Sequence, residues 1–438
     1  MSEPKKRFAT SVLSRSSKLL ETAARVAGKE VAGRLSGVER VARRIEQARA
    51  VTEQLRHLKG AVMKAGQLLS IDAGDFLPPE AVEILGTLQD DAEPVEFAVV
   101  ESVLVDAFGA DWRDRFEHFE ETSFAAASIG QVHRARVNGA PVVVKVQYPG
   151  VAESIDADLA MLAKLANSWL AVTRKKIDLT TLFDELSRIL HREADYVIER
   201  NNLERYAAMV ADDDRFVVPR AYPELSTDRV LTMSFEQGAP VREWMKRSPS
   251  FERRVDFARA MLDLYCVEFF EHGFVQTDPN PANFLVREDG KIVLLDFGAA
   301  LEYDATFRER YVALLKSLAS RDPQQTVDEA LAFGLLDERE KAATMLAFVE
   351  MLESAVEPFA SGVQPFQFAD ADYLARAQEI SARFTRALEY SPPPRQLLFL
   401  HRKLGGLFNL LKRMEVRLDL APYWDRMVGV ARPAAQVA

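Results

Sequence analysis

Residues 276–298 hold three side chains whose types and spacing suit metal and phosphate chemistry. Asp278 is followed five positions later by Asn283, and Asp296 opens an Asp-Phe-Gly triplet that ends at Gly298. Asn283 and Asp296 offer hard oxygen ligands of the kind Mg2+ takes. Asp278 stands where a carboxylate can orient or deprotonate an attacking hydroxyl or water. Upstream, Lys145 lies in the strand-like stretch PVVVKVQY and supplies a cation for phosphates. Phosphoryl transfer from ATP needs these parts and few others: a metal on the phosphates, a cation beside them and a residue that places the acceptor. Singly, each part is weak, since a lysine in a strand is most often a surface lysine. Their order along the chain carries the reading.

Those side chains need elements to hold them. Residues 116–148 alternate, are rich in β-branched residues and contain Asn138-Gly139, so they read as a hairpin with a tight turn. RFVVPRAYPEL and DRVLTMSF read as two more short strands, and KIVLLDF as another. Residues 51–110, 151–211 and 251–273 have helical apolar spacing, and helix dominates from there to the end. Strands thus precede the Asp278 loop, and a helical region surrounds and follows it. The expected fold class is α+β and bilobal, with nucleotide between a small β-rich lobe and a larger helical one. The expected divisions are 1–50, a basic segment; 51–115, a helical extension; 116–236, the β-rich lobe with a helical insertion; and 237–438, the helical lobe.

Composition narrows the class further. The chain has 438 residues and a net charge of −10, which argues against general nucleic-acid binding. Its one cysteine, Cys266, excludes an internal disulfide and fits a reducing, cytoplasmic compartment. No apolar run is long enough for a transmembrane helix, and no secretory signal follows the start. Residues 1–50 carry 12 Lys/Arg against 5 Asp/Glu, with apolar residues at roughly helical spacing. Such a segment either lies on an anionic membrane surface, at the inner face of the membrane, or is simply solvated. Glu3, Glu21 and Glu30 argue against a mitochondrial transit peptide.

The Asp-x4-Asn…Asp-Phe-Gly pattern is that of protein kinases, whose catalytic loop reads His-Arg-Asp where this chain has Gln276-Thr277-Asp278. Kinases cover the phosphates with a glycine-rich loop; here Ala125-Ala126-Ala127-Ser128 stands in that place. AAASIGQVHRA, VVVKVQYPGV, KAGQLLS, EADYVIERNN and QTDPNPANFLV…LLDFGA together make the chain resemble the UbiB/ADCK family of atypical, protein-kinase-like proteins, over about residues 55–305.

The resemblance implies a protein-kinase-like fold with a family-specific N-terminal helical extension, binding ATP or ADP with Mg2+. It maps the catalytic Asp onto Asp278, the phosphate-binding lysine onto Lys145 and its helix partner onto Glu199. The metal ligands become Asn283 and Asp296. The alanine-rich loop is Ala125, Ala126, Ala127 and Ser128. The KxGQ motif supplies Lys64 and Gln67, and the ExD motif Glu193 and Asp195, where an ordinary surface ion pair is the alternative. Met233, Ser234, Phe235 and Glu236 form the hinge that would meet the adenine edge. The implied activity is an atypical kinase or ATPase supporting ubiquinone or other isoprenoid-quinone metabolism. Its partners would be a small phenolic or isoprenoid lipid, quinone-biosynthesis proteins and a peripheral membrane surface. The alternative is a nucleotide-gated lipid-binding module with negligible turnover. A small-molecule kinase of the antibiotic or choline type ranks below both, because it leaves KAGQ and AAASIGQ unexplained.

Overall fold

The structure, a computed structural model, describes residues 95–127, 129–173, 180–387 and 395–429. The described residues fall into two compact units. The first comprises those within Met1–Glu204 and Pro219–Phe235, and the second those within Arg205–Val218 and Glu236–Ala438.

The first unit opens with helix α1 (Phe97–Phe108) and continues with strands β1 (His118–Phe119), β2 (Ala125–Ala127), β3 (Gly130–Val137) and β4 (Ala140–Gln147). Helices α2 (Val151–Thr173), α3 (Thr180–Glu193) and α4 (Tyr196–Met209) follow. Between α4 and β6 (Val230–Ser234) the chain forms β5 (Phe216–Val217), which belongs to the second unit. The sheet runs β1-β3-β4-β6 with β2 also on β3, all antiparallel. The expected hairpin is present as β3–β4. Its turn is made by Asn138 and Gly139 at φ of 50° and 76°, the left-handed pair that a two-residue hairpin loop needs. Val142, Val144 and Val146 of β4 are buried in a core that also takes Val103 and Leu104 of α1, Trp112, and Leu186 and Leu190 of α3.

The helical stretch expected over 151–211 is three helices. The last begins at Asp195, whose carboxylate accepts from the Val197 backbone N–H at 2.9 Å in the manner of a helix cap. The boundary between the units lies inside α4, after Glu204.

The second unit holds a four-stranded sheet in the order β5-β10-β9-β7, made with β7 (Ala239–Pro240), β9 (Phe284–Val286) and β10 (Ile292–Leu294). Phe216–Val217, within one of the two upstream stretches read as strands, pairs parallel with Ile292–Val293 here. Helices α5 (Val241–Lys246) and α6 (Phe251–Tyr265) come next, with Ser250 capping α6 by accepting from Arg253 N–H. The segment read as one helix to residue 273 changes character at Cys266, and Cys266–His272 is a π-helical segment. β8 (Phe274–Gln276) then pairs with β11 (Ala300–Glu302), so that the Asp278 loop leaves one strand of a pinned pair. Helices α7 (Ala305–Ser320), α8 (Pro323–Phe333), α9 (Ala342–Val356), α10 (Ala371–Ala387), α11 (Arg395–Arg413) and α12 (Ala421–Val428) complete the unit, with β12 (Phe366–Gln367) on β13 (Arg417–Leu418). The fold is α+β and kinase-like.

Candidate active site

In the first unit, Lys145 of β4 meets Glu199 of α4. Lys145 Nζ lies 2.9 and 2.7 Å from the two carboxylate oxygens. The pair is withdrawn from water, with side-chain exposures of 12% and 3%. The ammonium also sits 4.9 Å from the centre of the Tyr196 ring. Two elements far apart in sequence are thus joined at a cation that can take phosphate oxygens.

The alanines stand on a strand. Ala125 pairs with Val132, Ala126 with Gln131 and Ala127 with Gly130. Ala125 and Ala126 are exposed. Met233 and Ser234 are paired with Val143 and Val142, and Phe235 N–H donates to the Pro141 carbonyl at 3.1 Å. The unit boundary follows Phe235, so Glu236 belongs to the second unit, where it faces Arg287 at 3.9 Å. Glu193 is buried at the end of α3, and Asp195 is the cap of α4. Lys64, Gln67 and Ser128 lie outside the described residues.

In the second unit the catalytic-loop candidates come together. Asn283 Nδ2 donates to Asp278 Oδ2 at 3.1 Å. The loop is held by Thr277, whose hydroxyl donates to the Ala299 carbonyl at 2.7 Å, and by Asn280, whose side chain accepts from Ala282 N–H at 3.0 Å. Leu295 N–H donates to the Asn283 carbonyl at 2.8 Å, which places Asn283 beside the residue that precedes Asp296. Asp296 has a φ of 60°, a left-handed conformation stabilised locally by Gly298 N–H donating to its Oδ1 at 3.2 Å. Phe297 is buried, its ring centre 4.8 Å from that of Tyr206.

These residues fit a Mg2+ ion by donor type. Asn283 spends its amide nitrogen on Asp278, which leaves its oxygen as the ligand atom, and Asp296 adds a carboxylate. Among the described residues no group of three or more His, Cys, Asp or Glu gathers to hold an ion. An ion held by Asn283 and Asp296 would complete its shell with phosphate oxygens and water.

Sequence reasoning missed what α11 brings to this loop. Arg402 lies 3.4 Å from Asp278 Oδ1, with both side chains nearly buried. Lys403 lies 3.1 Å from Glu268 Oε1 of the π segment and 3.3 Å from Gln276 Oε1. Gly406, one turn on, lies against Pro279, and a Cβ placed there would overlap the proline ring. The available signal was His401-Arg402-Lys403-Leu404-Gly405-Gly406 between the leucine-rich runs LLFL and LFNLL. Adjacent cations and paired glycines there mark a close polar contact.

His133 is fully buried. Its Nδ1 donates to the Glu120 carbonyl at 2.8 Å, and its Nε2 accepts from the Gln131 amide at 3.0 Å. Burial holds its pKa below the usual value. Cys266 is buried, which pushes its thiol up to about 12, unlike a nucleophile.

A strand lysine paired with a helix glutamate, with an Asp-x4-Asn loop and an Asp-Phe-Gly turn in a helical unit, defines a kinase-like protein. Comparison with known proteins agrees. Residues 87–330 match the ABC1 atypical kinase-like domain, and the chain belongs to that family, which includes the UbiB proteins. It is 34% identical over 375 residues to the mitochondrial atypical kinase COQ8 of Saccharomyces cerevisiae, covering 85% of this chain and 74% of that one. It is 34% identical over 377 residues to the mitochondrial atypical kinase coq-8 of Caenorhabditis elegans, covering 84% of this chain. The chain spans 49% of the length of the nematode protein and 62% of its Schizosaccharomyces pombe counterpart. Among solved structures, the Rv3197–erythromycin complex from Mycobacterium tuberculosis superposes with a TM-score of 0.63 at 26% identity, covering 91% of this chain and all of that one.

Proposed function

We propose that this chain is a Mg2+- and ATP-dependent atypical kinase or ATPase acting in ubiquinone or other isoprenoid-quinone metabolism. The observation that carries the reading is the Lys145–Glu199 pair, a part-buried cation of the kind that binds nucleotide phosphates. In this reading Ala125–Ser128 and Met233–Glu236 line the nucleotide, and Asn283 and Asp296 hold the metal. Asp278 then places the acceptor. A bound Mg2+ would neutralise the phosphates and fix their geometry. The acceptor is a small lipophilic phenol or water rather than a protein hydroxyl, because the family resemblance implies that the KxGQ helix of Lys64 and Gln67, with Lys64 meeting the ExD carboxylates Glu193 and Asp195, covers the cleft where ordinary kinases admit a peptide. The chain works at a membrane surface without crossing it; among the described residues no helix is long and apolar enough to span a bilayer.

A second reading is a nucleotide-gated binding module with negligible turnover. Two observations favour it. Both oxygens of Asp278 are engaged, one by Arg402 and one by Asn283. The Mycobacterium tuberculosis relative is described in complex with erythromycin, itself a bulky lipophilic molecule.

The test is ATP hydrolysis by the purified chain with Mg2+, with and without anionic liposomes and a soluble phenol. Turnover that Asp278→Asn lowers by about 100-fold or more supports the enzyme. Nucleotide binding with no turnover under any of these conditions would sink it in favour of the binding module.

A further inference from the structure

We infer that Lys403 is a positioning residue for the metal ligand Asp296, acting from α11 through the side-chain amide of Gln276. The inference rests on the reading that Asp296 takes Mg2+. Gln276 occupies the first position of the catalytic loop and is buried. Its Oε1 accepts from Lys403 Nζ at 3.3 Å, and its Nε2 donates to the Asp296 backbone carbonyl at 3.2 Å. Chemistry settles the orientation of that amide. Turned over, it would set its NH2 against an ammonium and its oxygen against a carbonyl oxygen. Lys403 therefore dictates which end of Gln276 faces the metal ligand.

Lys403 is itself fixed. Glu268 Oε1 holds it at 3.1 Å and also accepts from Gln276 N–H at 3.2 Å and from the Tyr206 hydroxyl. Burial and the neighbouring Glu268 raise the Tyr206 pKa, so that hydroxyl stays a donor. The chain of contacts ends where it matters. Asp296 sits at a φ of 60°, held on one side by its own carboxylate's contact with Gly298 N–H. Holding its carbonyl from outside keeps the peptide in that conformation and so aims the carboxylate. Without the Gln276 donor, the part-buried carbonyl has one fewer partner and the peptide can relax. A group that orients a metal ligand without touching the metal typically changes metal affinity by about 10–100-fold when lost.

Lys403→Met alone would strand the buried Glu268 carboxylate and can prevent folding. The deciding variants are therefore Gln276→Leu, which cuts the relay but leaves the ion pair, and the double variant Lys403→Met with Glu268→Gln, which removes both charges. Gln276→His is the conservative control, because an imidazole can accept from Lys403 on one nitrogen and donate to the carbonyl from the other. The readout is the affinity of the full chain for fluorescently labelled ADP, titrated against Mg2+. Gln276→Leu and the double variant are expected to need about tenfold more Mg2+ for half-effect, with metal-free affinity unchanged and Gln276→His close to wild type. An unchanged Mg2+ midpoint in folded Gln276→Leu and in the folded double variant overturns the inference. Wild-type protein indifferent to Mg2+, or Asp296→Asn with full Mg2+ dependence, overturns instead the assignment of Asp296 on which it rests.

Discussion

Lys145 and Glu199, 54 residues apart, form the contact on which the nucleotide reading depends. The pair is too buried for either charge to stand alone. Lys145→Met should lower stability to urea by about 3–5 kcal/mol, because it leaves a carboxylate in a dry site. Lys145→Met paired with Glu199→Gln should recover much of that loss and still fail to bind nucleotide tightly. Urea midpoints and a fluorescent-nucleotide titration separate the two effects. If the double variant binds nucleotide like wild type, Lys145 is a structural lysine. His133 makes a prediction about pH. Its folded pKa lies below 6.5, since burial opposes the charge and a proton on Nε2 would face the Gln131 amide hydrogens. Its contribution to stability is complete above pH 6.5 and declines as pH falls from there toward the lowered value. His133→Gln should flatten that part of the stability–pH curve; identical curves would show that His133 is not among the groups responsible.

Among the elements, α11 stands out. It places Arg402, Lys403 and Gly406 against residues 276–279 of the Asp278 loop, each through a different contact. The absence of a side chain at Gly406 lets the helix approach Pro279, and that approach brings the two cations within reach of Asp278 and Gln276. Gly406→Val should push the helix away, lowering turnover by at least about tenfold and weakening the Arg402–Asp278 contact. Hydrogen exchange of residues 276–284 should rise together with the loss of rate. Turnover and exchange both at wild-type levels would show that the loop does not depend on this helix. The π segment Cys266–His272 matters for a related reason: it carries Glu268, the buried partner of Lys403.

For the whole molecule, the question is how a chain with net charge −10 would meet the lipophilic acceptor proposed for it. Residues 1–50 carry 12 basic against 5 acidic side chains, opposite in sign to the rest; they lie outside the described residues. The expected outcome is that the full chain cosediments with liposomes containing anionic lipid and that a chain of residues 51–438 does not. The effect should fade as salt is raised, since each basic residue near such a surface contributes about 1 kcal/mol. Equal cosedimentation of the two chains would move any membrane contact elsewhere.

Much of the candidate site could be proposed from the sequence because its residues sit in runs with local meaning. Asp278, Asn283 and Asp296 are close in sequence, and Lys145 lies in a valine-rich run. Asn138-Gly139 announces its own turn. The sequence by itself therefore determined the class of fold and the candidate chemistry, since short-range spacing and hydrophobic period are properties of the chain alone. It could not show that Phe216–Val217 leaves the first sheet to pair with β10, because a two-residue strand has no periodicity to read. Nor could it show that α11 returns to the Asp278 loop. Arg402 lies 124 residues from Asp278 and Lys403 135 from Glu268, and nothing local marks which distant partner a buried charge will find. Only the tertiary structure decides that, because the low polarity of the interior requires such charges to be paired wherever the chain brings them together.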